Sequence, residues 1–392
     1  MSVPVARYLE PAIREDLAQR MVFIAGPRQV GKTTLAQRLL ASEPGGVYLN
    51  WDNREDRREI RAARWPGGPA LVVLDELHKW RGWKGWLKGE FDKHRPATRF
   101  VVTGSARLDV YRRGSDSRQG RYHHYRLHPF THNEAARSRP PAEIEPGREL
   151  VFGTGAPGTV GALLRFGGFP EPFLAASVRT HRRWQKERVD RVVREDVRDL
   201  ETVRDLSLIQ LLADLLPDRV GSPLSLNALR EDLESSHRAL THWMDVLERL
   251  YYAVRIRPFE SSRVRSLRKM PKAYLWDWSE VTAPGPRFEN MVAMHLLKFC
   301  HYLEDKDGFR AELRYLRDRT GREVDFLVTL DRKPWFAVEA KLTETAVDPS
   351  LVYFRERLKI PFVYQVVLGA ARDVVQDGVR CLPAAKFLSA LI

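Results

Sequence analysis

The chain has little cysteine and no long apolar run. Its 392 residues include two cysteines, Cys300 and Cys381, far apart in sequence. That excludes a disulfide framework and leaves too few thiols for a cysteine-built zinc site. No apolar stretch approaches the ~20 residues that a membrane-spanning helix needs, so no membrane partner is expected. The opening segment, MSVPVARYLEPAIRED, mixes acids and bases and lacks the apolar core of a signal peptide. A cytoplasmic location is therefore expected.

What is present describes a soluble globular chain, with 43% hydrophobic and 30% charged residues. A chain of this length exceeds one compact core, so two or three domains are expected. Lys and Arg total 65 against 51 Asp and Glu, a net charge of +14. That excess suits a polyanionic partner such as DNA, because bound phosphates release counterions. An arginine-rich composition without such a partner explains it equally well.

Met21–Ala25 is a short apolar run suited to a buried parallel strand. Gly26-Pro27-Arg28-Gln29-Val30-Gly31-Lys32-Thr33-Thr34 follows, then a helical pattern, so the pattern GxxxxGKT sits in a strand–loop–helix setting. Such a loop wraps phosphates with backbone N–H groups at the positive end of a helix. Lys32 is expected to reach the outer phosphates of ATP, and Thr33 to hold Mg2+ through its hydroxyl.

A second apolar run, Ala70–Leu74, ends in Asp75-Glu76. Open α/β sheets hold their ligands at such strand ends. Asp75 is expected to support the Mg2+ shell, and Glu76 to polarise the attacking water. A third strand, Arg99–Gly104, offers Thr103, and less favourably Ser105, as a sensor of the γ-phosphate. Tyr48-Leu-Asn-Trp-Asp52 reads as another strand ending near the site. Trp80, Trp83 and Trp86 suit packing better than base stacking.

These stretches resemble prokaryotic AAA-type ATPases that carry a variable C-terminal region. The matching segments are Gly26–Leu35, Leu74–Lys79, Val102–Ala106, Arg126–Phe130 and Phe166–Pro172, in the family's order. The resemblance implies an α/β fold with an AAA-like P-loop parallel sheet at 1–137. It also implies self-association with an arginine acting in trans. Arg121, in Gly120-Arg121, is the first candidate and Arg118 the second; ordinary surface arginines are the alternative.

Residues 138–177 are rich in proline and glycine and read as a linker or insertion, with 153–161 loose. Across 178–285 the chain turns helical, with interleaved charges on a solvated face at 188–200. At 224–258, helix, short turn, longer helix and basic strand follow the layout of a winged helix. His237, Arg238, Thr241 and His242 near the start of the longer helix are the candidates for touching DNA.

In 286–392 a helix over 288–299 is followed by strands, and Glu289, Asp325, Glu339 and Lys341 stand out. Residues two apart on a strand share a face, so Glu339 and Lys341 point into one pocket. Asp325, one hairpin earlier, can join Glu339 around a divalent metal, with Lys341 orienting water. The arrangement resembles the PD-(D/E)XK nuclease fold, a restriction-endonuclease-like α/β domain. The resemblance implies that Glu289 completes the metal set. Val324 stands where the motif's proline would be, and an inherited core that no longer cuts is the alternative. The chain as a whole is thus expected to be an ATPase that couples nucleotide state to DNA binding or cleavage. The alternative is an ATP-dependent switch that only docks DNA or protein.

Overall fold

A computed structural model describes residues 5–65, 70–104, 120–138, 144–193, 197, 206–260 and 270–392. The chain divides into two compact units, Met1–His128 and Pro129–Ile392.

The first unit is built on five parallel strands: β1 Met21–Ala25, β2 Val47–Asn50, β3 Ala70–Asp75, β4 Thr98–Thr103 and β5 Tyr122–Arg126. Their spatial order is β2-β3-β4-β1-β5. β1 and β3 are buried along their whole length. This is why they read as continuous apolar runs rather than alternating ones. Helices α1 Glu10–Asp16, α2 Lys32–Ala41, α3 Arg54–Ala62 and α4 Trp83–His94 accompany the sheet. One core cluster joins Phe23, Val72, Leu74, Phe100 and Val102 to Trp51, Trp83 and Leu87. Trp80 and Trp86 pack against it, and Trp80 stacks on Trp51 with centroids 5.0 Å apart.

In the second unit, 132–215 carries short helices: α5 His132–Ala135, α6 Pro157–Phe166, α7 Pro170–Ala175, α8 Val178–Arg191 and α9 Leu206–Leu215. The segment expected to be loose at 153–161 turns helical from Pro157. Proline preorganises a first helical turn, and the interior Gly158 and Gly161 meet nothing that would bar the helix. Gly167 and Gly168 let the chain approach Asp277 and Trp278. A Cβ would stand 2.5 Å from Asp277 Oδ1 at the first and 2.6 Å from the Trp278 ring at the second.

Helices α10 Leu226–Asp232 and α11 His237–Arg249 follow, each capped by a serine: Ser225 accepts from Ala228 N and Ser236 from Ala239 N. β6 Ala253–Ile256 then pairs antiparallel with β7 Lys272–Leu275. The strand starts later than the expected Tyr251, because Tyr251 takes a left-handed conformation (φ 57°) just beyond α11.

Helix α12 spans Pro284–Asp307, longer at both ends than expected. A six-stranded mixed sheet completes the unit in the order β12-β13-β11-β10-β9-β8. Its strands are β8 Ala311–Arg317, β9 Glu323–Leu330, β10 Lys333–Lys341, β11 Phe362–Val367, β12 Val374–Gln376 and β13 Val379–Pro383. β8, β9 and β10 form an antiparallel meander, whereas β10, β11 and β13 run parallel. Helices α13 Pro349–Leu358 and α14 Ala384–Ser389 pack with this sheet.

Candidate functional site

β1 ends at Ala25, and the loop that follows uses backbone conformations that most residues avoid. Gly26 has φ 153°, Gln29 φ 63° and Gly31 φ 95°. A side chain at Gly26 would put its Cβ 2.4 Å from Leu127 O, so only glycine fits there. Gly31 sits at the N-cap of α2, and the N–H groups of a helix's first turn have no intrahelical acceptor and so face the preceding loop. Lys32 is buried, and its ammonium donates to Gly26 O at 3.0 Å and Pro27 O at 2.8 Å. Arg7, which no motif marked, also holds the loop. It donates to Val30 O at 2.7 Å and to His128 O. Pro27 and Val30 are buried, whereas Arg28 and Thr34 are exposed.

Asp75 is the hub beside this loop. Its Oδ2 accepts from Thr33 Oγ1 at 2.8 Å and from the Tyr48 hydroxyl at 2.6 Å. Its Oδ1 accepts from Thr103 Oγ1 and, at 3.1 Å, from Glu76 N. Sheet register explains the convergence, because Asn50 pairs with Asp75 and Asp75 with Thr103 across adjacent parallel strands. Burial, then the Asp75 carboxylate it bonds, push the Tyr48 phenol well above its ordinary range.

Glu76 leaves the strand in a left-handed conformation (φ 55°), its N–H also donating to Thr103 O at 3.0 Å. Burial raises its pKa above the usual carboxylate value, opposed by Lys32 and Lys79. Lys79 Nζ lies 3.6 Å from Glu76 and 2.6 Å from Asp52. The Thr33 hydroxyl and the Asp75 carboxylate form a hard-oxygen pair of the type that completes a magnesium shell otherwise made of phosphate oxygens and water. The donor chemistry therefore fits Mg2+.

Arg121 lies elsewhere. It precedes β5, whose Tyr122 pairs with Met21 at the start of β1, so it stands at the strand ends opposite the loop. Its Nε bonds Asp92 on α4 at 2.8 Å. Ser105 and Arg118 lie outside the described residues.

The C-terminal residues make a second cluster. Asp325 on β9 and Glu339 on β10 are cross-bonded: Asp325 N donates to Glu339 Oε2 at 3.1 Å, and Ala340 N to Asp325 Oδ2 at 3.0 Å. Lys341 Nζ binds Glu339 at 2.7 Å and Asp348 at 2.9 Å. Glu289 on α12 accepts from the Tyr274 hydroxyl at 2.7 Å. Burial, then Asp325, raise the carboxyl of Glu339 to about 8 and that of Glu289 to about 7. Between Glu289 and Asp325 stands a residue that sequence reading missed, Lys272 on β7. Among the described residues, no group of three Asp, Glu, His or Cys side chains is arranged to hold a metal ion. Glu289 and Asp325 both pair with the Lys272 ammonium, and Glu339 pairs with Lys341. The available signal for Lys272 was alternation: Lys272 and Tyr274 share one face of a short strand.

Residues 18–136 match the AAA domain family model. That match supports an AAA-type P-loop ATPase and implies nucleotide binding, and the five-stranded parallel sheet is consistent with it. Residues 159–283 and 284–387 match two domains of unknown function, DUF8612 and DUF4143. The uncharacterized proteins Rv2008c of Mycobacterium tuberculosis and Mb2031c of Mycobacterium bovis are each 22% identical over 412 residues, covering 99% of this chain and 88% of theirs. A solved RuvB variant of Thermotoga maritima is 16% identical over 64% of this chain and 88% of its own, with a TM-score of 0.30. No helix among the described residues is long and apolar enough to cross a membrane.

Proposed function

We propose that the protein hydrolyses ATP with Mg2+ at the loop Gly26–Thr34 and uses the nucleotide state to switch its C-terminal region. The observation that carries this is the Asp75 carboxylate, which gathers Thr33, Tyr48 and Thr103 beside the loop. Lys32 would shift its ammonium from the loop carbonyls to the outer phosphates. Mg2+ bound to Thr33 and supported by Asp75 would neutralise charge developing on the phosphates. Glu76, one residue beyond Asp75, would polarise the attacking water, and Thr103 would sense the γ-phosphate. Arg121, remote from its own loop, could act only at the site of a second copy.

On this proposal the chain comprises an AAA-like domain at 1–137, a linker at 138–177, a winged-helix region at 178–285 and a nuclease-like domain at 286–392. DNA is the proposed partner of the middle region. Its support is the +14 charge and the exposure of His237, Arg238 and His242 on α11. Thr241 is half-buried, its hydroxyl donating to His237 O. Lys272 within the carboxylate cluster favours the reading in which the C-terminal domain docks rather than cuts.

Phosphate release from ATP, measured with and without single- and double-stranded DNA, tests the proposal. Turnover that Lys32→Ala abolishes supports the ATPase, and stimulation by DNA supports the partner. Turnover equal in the parent chain and Lys32→Ala would rule out this site.

A further inference from the structure

Lys272 is 1% exposed, yet it carries a charge. Its ammonium lies 2.6 Å from Glu323, 3.2 Å from Glu289 and 3.5 Å from Asp325. It also stands 5.7 Å from the centroid of the Tyr315 ring. These carboxylates come from β9 and α12, and the lysine comes from β7, before both in the chain. The surrounding protein closes the cluster further. Tyr274 donates to Glu289, and Gly221 (φ +79°) approaches so closely that a Cβ there would meet Glu289 Oε2 at 2.7 Å. Bridges from Val220 to Ala273 and from Pro223 to Lys272 hold that glycine segment along β7.

A bound magnesium ion needs near-octahedral oxygens at ~2.1 Å and keeps several waters. Here Glu289, Glu323 and Asp325 share the Lys272 ammonium, Glu289 also accepts from the Tyr274 hydroxyl, and Asp325 accepts from Ala340 N. A buried ammonium held by acids cannot leave without exposing an uncompensated charge. We propose that Lys272 is the permanent cation of this cluster. It makes the cluster a metal-independent structural joint between β7 and the β8–β10 sheet, where the nuclease pattern would have a divalent ion. The C-terminal region then does not cleave DNA through these carboxylates. This inference stands apart from ATP hydrolysis, and either can fail alone.

Titration of the nucleotide-free, full-length chain with Mn2+, followed by calorimetry and thermal unfolding, tests it. An Asp75→Asn background removes the P-loop oxygen pair as a competing site. The expected result is no Mn2+ binding attributable to Asp325 and no Mn2+-dependent cutting of plasmid or linear DNA. Lys272→Met should lower the unfolding temperature and create Mn2+ binding that restores part of it, and adding Asp325→Asn should abolish that gain. Mn2+ binding or DNA cleavage by the parent chain that Asp325→Asn removes would overturn the inference. So would a folded Lys272→Met chain that remains indifferent to Mn2+. If Lys272→Met does not fold, the parent titration decides, with Lys272→Arg expected to fold and stay metal-silent.

Discussion

The Tyr48 hydroxyl donates to Asp75 Oδ2 at 2.6 Å, the same carboxylate oxygen that accepts from Thr33 Oγ1 at 2.8 Å. The phenol therefore fixes the rotamer of the proposed magnesium-supporting acid from the neighbouring strand. Hydrogen bonds to charged groups contribute about 1.5–3 kcal/mol, so Tyr48→Phe should weaken magnesium-dependent turnover about tenfold or more. The loss should appear as a higher Mg2+ requirement rather than weaker binding of metal-free nucleotide. Steady-state rates across a Mg2+ series separate the two, and an unchanged Mg2+ profile would remove Tyr48 from the site.

How far the sequence revealed this arrangement depended on distance along the chain. Lys32, Thr33, Asp75 and Glu76 were legible because their chemistry sits at the ends of apolar strands, where local pattern and function coincide. Tyr48 and Arg7 were not, because their partners lie 27 and 23 residues away and only sheet order brings them together. Lys272 escaped for the same reason. Alternation puts Lys272 on the Tyr274 face of its strand, but it does not tell a lysine that pairs with acids on α12 and β9 from one that reaches solvent. Strands β8 to β11 of the second sheet were legible from their apolar runs, whereas the short, exposed β12 and its partner β13 were not. The helix beginning at Pro157 was hidden by its glycines.

Glu76→Gln should keep nucleotide affinity and lose turnover by about 10²-fold or more, the range of a lost general base. Burial raises the Glu76 carboxyl, so hydrolysis in the parent chain should decline on acidification at a higher pH than an exposed glutamate would set. Binding of a fluorescent ATP analogue, measured beside phosphate release, distinguishes a binding defect from a chemical one. Equal loss of both would reassign Glu76 to a structural role.

Two glycines make a matched pair. Gly26→Ala forces a Cβ to 2.4 Å from the Leu127 carbonyl, at a φ that side chains rarely adopt, and should abolish nucleotide binding. Gly85 lies within α4 and faces open space. Gly85→Ala should leave binding intact and raise stability by up to about 1 kcal/mol, the helix preference of alanine over glycine. Thermal unfolding with and without ATP reads both, and a Gly26→Ala chain of normal affinity would contradict the tight approach to Leu127.

His295 gives the second unit a dependence on acid. Its Nε2 accepts from His132 N at 3.1 Å, and its Nδ1 donates to Met291 O at 2.7 Å, so only the neutral ring fits. Burial lowers its pKa from 6.5 to about 3, with Lys298 and His132 adding to the effect and Glu134 opposing it. The unfolded chain therefore binds a proton that the folded ring refuses. Stability from this group is complete above the unfolded value near 6.5 and is lost as pH falls toward 3. The parent chain should lose about 1.4 kcal/mol per pH unit from this one residue between about pH 6 and 4. The buried carboxyls of Glu280, Glu289 and Glu339, raised to about 7, 7 and 8, act in the opposite direction, shedding stability as pH rises through those values. The comparison must therefore be a difference between chains. His295→Gln should be less stable at pH 7 but should show a shallower acid slope in urea unfolding followed at several pH values. Parallel slopes for the two chains would mean that His295 accepts its proton in the folded state and that the ring is not held neutral.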